Sequence, residues 1–146
     1  MKSNFLQLCV LSLLILSSAC SAGVSTTPID KHFILDDNSS KIWLVNKLVK
    51  NHVDYSNSEL GKKDIVIFFA TGRCMIQKMN TFGDTLGDKF NFSLRMSTQP
   101  QTLELTKGKK RWLFTVKSIN DDKIILIPQK GVKFPYEMEL IPLPEP

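Results

Sequence analysis

The sequence predicts an all-β domain: a small antiparallel meander of about eight strands that closes into a barrel or folds as a barrel-like sandwich. Three observations predict it. Apolar and polar residues alternate in several short segments, as Phe90, Phe92, Leu94 and Met96 do against Asn91, Ser93 and Arg95; this is the period of a half-buried strand. Turn-forming residues separate the segments at short intervals, which makes successive strands antiparallel neighbours. Strands with one apolar face each must stack or close to hide it, and closure also removes exposed sheet edges.

The segment KIWLVNKLVKNHV, Lys41 to Val53, is read as a long strand because Trp43, Val45 and Val49 favour extended backbone. Its apolar spacing also suits a helix capped by Ser39 or Ser40. DIVIFFA, Asp64 to Ala70, is a continuous apolar run of strand length. Thr71-Gly72-Arg73 then turns the chain, and RCMIQKM pairs back as a hairpin. NTFGDTLGD, Asn80 to Asp88, is the longest loop, and KFNFSLRM is the next strand. TLEL places Leu103 and Leu105 opposite Glu104, and the turn KGKK uses Gly108 for its permissive backbone. RWLFTVK sets Trp112, Phe114 and Val116 on one face. A turn at residues 119–123 leads to a short apolar strand, Ile124 to Ile127, broken by Pro128 to Gly131. In FPYEMEL, Tyr136, Met138 and Leu140 face inward and Glu137 and Glu139 outward. Pro142, Pro144 and Pro146 end the sheet, since proline donates no ladder hydrogen bond.

The chain has 146 residues and a net charge of +5, which fits one mildly basic domain. Its N-terminus reads as a targeting segment. Lys2 precedes an apolar stretch from Phe5 to Leu16 and the small residues Ser17, Ser18 and Ala19. That stretch has the length of a signal core and is too short to span a bilayer. Cys20 follows, and Ser18-Ala19-Cys20 resembles the end of a bacterial lipoprotein signal, with Ser17 where leucine is usual. The resemblance implies cleavage before Cys20, acylation of its thiol with diacylglycerol, and anchoring in the cell envelope at the outer membrane. The expected organisation is a signal peptide at residues 1–19, a lipid-anchored flexible tether at 20–31 and a β-domain at 32–146. With Cys9 removed and Cys20 acylated, Cys74 has no disulfide partner within the chain, and it reads as a small buried hydrophobe.

Catalytic chemistry is not expected. His32 lies at the edge of the domain and His52 at a strand end, and no Cys/His cluster or Gly-rich phosphate loop is present. Asp36-Asp37 and Asp121-Asp122 are turn-forming pairs with no third oxygen donor at calcium-loop spacing. No metal or cofactor is therefore expected. Basic residues are not interleaved with exposed aromatics, which argues against nucleic acid.

The order of segments, with a tryptophan in KIWLVNKLV, a tight turn ending DIVIFFATGRC, and the meander FNFSLRM, LEL and RWLFTVKSI, is similar to the lipocalin-like lipoproteins of Bacteroidota. The similarity covers Lys41 to Leu143. It implies a barrel serving either as a small-molecule binder or as an accessory subunit of an envelope machine. Candidates to line a ligand cavity are Trp43, Phe69, Phe92, Trp112, Phe114 and Tyr136; the same side chains would fill a barrel this small. Candidates for partner contact are Phe82 and Leu86 in the long loop and Lys107, Lys109, Lys110 and Arg111 at the basic turn. The expected function is that of a membrane-anchored envelope lipoprotein acting as an accessory subunit of a protein complex. The alternative is a carrier of a small apolar ligand.

Overall fold

The computed structural model describes residues 31–84 and 86–144. The expected signal peptide, Cys20 and the tether up to residue 30 lie outside the described residues. One short helix precedes nine strands: α1 (Lys31–Asp36), β1 (Ser40–Lys50), β2 (Val53–Asp54), β3 (Asp64–Phe69), β4 (Arg73–Lys78), β5 (Asp88–Arg95), β6 (Thr102–Lys107), β7 (Lys110–Ile119), β8 (Ile124–Pro128) and β9 (Glu137–Pro142). Every pairing is antiparallel, and β9 returns to pair with β1, closing an eight-stranded barrel. The two-residue strand β2 is an extra ribbon beside β1. The structure is thus the closed barrel of the two expected architectures.

Local sequence explains most of the joints. Asn51 and His52 both take positive φ, the geometry of a two-residue hairpin turn whose twist matches its flanking strands. Gly108 (φ 56°) serves the same purpose in the β6–β7 hairpin. Bulges interrupt β1 between Val45 and Lys47 and β7 between Val116 and Ser118, supplying the local bend that closing a small barrel demands. At the first bulge the Asn46 amide donates to Glu139 Oε1 (2.8 Å), tying β1 to β9.

Eight strands enclose an interior just wide enough for side chains, and here the side chains fill it. Trp43, Phe68, Phe114, Leu103, Leu105 and Leu140 are completely or almost completely buried. Below them α1 closes one end, with Ile34 and Leu35 part of the same core. The Trp43 indole N–H donates to the Leu35 carbonyl (3.1 Å), fixing the helix to β1. This helix was not anticipated from periodicity.

A second apolar layer lies on the outer wall, where Leu44, Ile65 and Ile67 are buried, with Ile42, Phe69 and Met75 beside them. It explains why β3 is apolar on both faces. The long β4–β5 loop leans on this wall: a Cβ on Gly87 would sit 2.8 Å from Met75 Cγ, so glycine permits the approach.

Candidate functional site

In a meander the connections alternate between the two ends of the barrel. The β1–β2 turn, the β2–β3 loop, the β4–β5 loop, the β6–β7 turn and the β8–β9 loop therefore share one end, opposite α1. Every partner candidate from the sequence lies on this rim.

The six predicted cavity residues divide. Trp43 and Phe114 are buried in the interior, and Phe92 and Trp112 pack half-buried against that core. Tyr136 sits at the rim, with its ring 5.5 Å from those of Phe134 and Tyr55. Phe69 does not line the interior: it belongs to the outer apolar layer, and Phe68 takes the inward position. Because both faces of β3 are apolar, composition leaves the parity open, and pairing of Phe68 with the inward Cys74 decides it.

The mouth is stoppered by the β8–β9 loop. The Gln129 N–H donates to Leu113 O (2.9 Å), extending the β7–β8 ladder past Pro128. The chain turns at Gly131, and Phe134 then folds inward, its ring 4.7 Å from Trp112 and 5.7 Å from Phe114. What remains of the mouth is a recess of about 300 Å³ lined by Val45, Leu48, Ile76, Trp112, Phe134 and Met138, with Lys78 and Asp64 paired at 2.8 Å on its lip.

Around the rim, two chemistries occupy two halves. The β2–β3 and β4–β5 loops, which touch each other, carry exposed apolar side chains. Leu86 is 70% exposed and Phe82 53%, with Val53, Tyr55 and Leu60 also exposed. Three lysines of this half are engaged: Lys62 and Lys78 in ion pairs with Glu59 and Asp64, and Lys63 in hydrogen bonds to Asn46.

The opposite half is basic. Between the β6–β7 turn and the β8–β9 loop lies a cleft of about 650 Å³. Lys109, Lys110 and Arg111 line it on one side and Lys130 and Lys133 on the other, with Trp112 at its inner edge. Arg111 binds Glu104 with both its Nε and Nη2 groups. The hydrogen bond from Arg111 holds the Glu104 carboxyl below the ordinary carboxylate range. Lys107 donates to Asp88, and that hydrogen bond lowers the Asp88 carboxyl likewise, with Lys110 adding to the field. Lys109, Lys110, Lys130 and Lys133 form no ion pair among the described residues. Lys130 and Lys133 were not singled out from the sequence. The meander itself carries the signal, because loops two strands apart return to the same end.

Cys74 belongs to the interior, and burial pushes its thiol from the ordinary 9.0 up to about 12. It is therefore no nucleophile at neutral pH. The folded chain keeps this proton to higher pH than the unfolded chain does. The contribution is fully present below about pH 9 and is lost as pH rises toward 12. Urea denaturation followed from about pH 8.5 to about pH 10.5 is expected to show stability falling more steeply in the wild type than in Cys74→Ala. Equal slopes would contradict it.

Among the described residues no group of three or more His, Cys, Asp or Glu could hold a metal ion, and no helix is long and apolar enough to cross a membrane. Compared with known proteins, the chain matches no family model, no curated protein and no solved structure. What the arrangement offers chemically is therefore read from its surfaces: a filled barrel, an apolar half-rim and a basic cleft.

Proposed function

We propose that this protein is a membrane-anchored envelope lipoprotein whose barrel is an accessory, interaction subunit of an envelope protein complex. The observation that carries the reading is the division of labour within the barrel. Its interior is filled by its own side chains, while large apolar side chains stand exposed on two adjoining loops at the end opposite α1. Exposed apolar clusters with polar surroundings are what protein interfaces use. Lys62 and Lys78 in that half are already paired with carboxylates, so the partner it fits is a protein with a predominantly apolar pocket. An anchor at Cys20 reaches α1 through a segment spanning at most about 35–40 Å, which keeps the whole barrel close to the membrane and within reach of other envelope proteins.

The test is affinity capture from solubilised membranes with the wild type, with Phe82→Ser/Leu86→Ser, and with Lys117→Ala as a control on the outer wall. The loop variant is expected to lose its specific partner roughly tenfold or more, as removal of central apolar anchors does, and the control to retain it. Recovery of the same proteins at the same level by all three sinks the reading. The recess of about 300 Å³ at the mouth supports the second reading, a carrier of a small apolar ligand. An apolar compound recovered by solvent extraction of the purified protein would favour it.

A further inference from the structure

We propose that the basic cleft is a binding site for a phosphorylated headgroup, separate from the apolar half-rim and independent of the protein partner inferred above. Two independent elements build it. The hairpin turn at Gly108 presents Lys109 and Lys110, and the β8–β9 loop presents Lys130 and Lys133 across a cleft of about 650 Å³. None of the four is neutralised by an ion pair among the described residues. Elsewhere on the rim Lys62, Lys78 and Lys107 are each paired with a carboxylate. Converging like charges raise the local concentration of anions, and low-dielectric walls focus their field.

Both sides of the cleft are held by the fold. The turn closes the β6–β7 ladder through the Lys107–Lys110 pair. The β8–β9 loop is pinned at its root by the hydrogen bond from Gln129 to Leu113 and at its far end by the Phe134 ring against Trp112. The lysine stems thus start from fixed backbone, which lowers the ordering cost of binding. Lysine is suited to phosphate as a point charge with three donors. The cleft is far larger than one phosphate group and is edged by Trp112, Leu113 and Val132. It fits a phosphomonoester or pyrophosphate carrying a small organic body. Such a group can come free in solution or on a lipid.

The experiment uses the full chain purified in a non-ionic detergent. Isothermal titration with sodium pyrophosphate and with short-chain phosphatidic acid reads the two sources, and sodium sulfate at matched ionic strength is the reference anion. Binding of either phosphate probe above sulfate, weakening as salt is raised, is expected. Preference for pyrophosphate assigns a free ligand, and preference for the phosphatidic acid assigns a lipid headgroup. Lys109→Glu/Lys133→Glu should lower affinity by about tenfold or more, since like charges placed against an anion repel it. Lys47→Glu/Lys117→Glu, with the same change in net charge away from the cleft, should leave it within about twofold, as exposed charges beyond the screening length contribute little. These four lysines are exposed or half-exposed strand and loop residues, and near-ultraviolet circular dichroism checks that the fold is kept. No binding of either phosphate probe, binding no tighter than sulfate, or equal losses in both double variants would overturn the proposal.

Discussion

Replacing Trp43 with alanine is expected to destabilise the domain by about 3–5 kcal/mol, the range for removing a buried tryptophan. The residue is completely buried and packs in the layer that faces α1. Its loss does two things. It opens a void where the neighbouring strands, closed into a ring, have little freedom to collapse. It also strands the Leu35 carbonyl, which accepts from the indole N–H at 3.1 Å. The Lys41 ammonium, 4.7 Å above the same ring, loses a favourable face as well. Since domains of this kind are stable by about 5–15 kcal/mol, the variant should sit close to unfolding at physiological temperature. Trp43→Phe separates the contributions: it keeps most of the ring and removes the donor, with an expected cost of about 1–3 kcal/mol. Urea denaturation followed by circular dichroism measures both. A cost for Trp43→Ala below about 1 kcal/mol would mean that α1 is not the floor of the core.

Replacing Cys20 with serine is expected to move the protein from the membrane pellet to the soluble fraction almost completely. The proposed anchor is a thioether-linked diacylglycerol, and each buried methylene of an acyl chain contributes about 0.8 kcal/mol. One chain gives reversible attachment, whereas two hold a protein through repeated washing. Serine offers no thiol for that linkage, so the loss is all or none rather than graded. Among the described residues no helix is long and apolar enough to cross a membrane. Fractionation after a carbonate wash decides the matter: a Cys20→Ser chain that still pellets with the membranes sinks the lipoprotein reading, while the barrel stands unaffected.

How far the fold was legible depends on how cleanly each segment keeps its period. KFNFSLRM and RWLFTVK alternate without interruption, and β5 and β7 lie where the alternation places them. Lys41 to Val53 was ambiguous for a reason now visible. The bulge between Val45 and Lys47 moves Leu48 to the inward face, so Trp43, Val45 and Leu48 are spaced partly like a helix while lying on a strand. Six residues were too few for α1 to declare a helical period, and it forms because Ile34 and Leu35 have a core to enter. Phe69 was misplaced because an uninterrupted apolar run carries no parity. The exposure of Phe82 and Leu86 was legible, since they stand among polar and glycine residues. Half of the basic cleft was not, because Lys130 and Lys133 are distant from Lys109 along the chain and meet it only through the order of the strands.

The pairing of β1 with β9 has a consequence for the protein's first moments. The strand that begins the barrel waits for the strand that ends it, nearly the whole domain later. A chain emerging from its N-terminus therefore cannot build its fold piecemeal: until Leu140 and Met138 arrive beside Val45 and Leu48, β1 has an open edge and the interior has a missing wall. Topologies closed by such distant partners fold slowly and expose sticky edges on the way. Synthesis of β9 thus precedes closure of the barrel, so a nascent chain of this design keeps one edge open until its last strand is free.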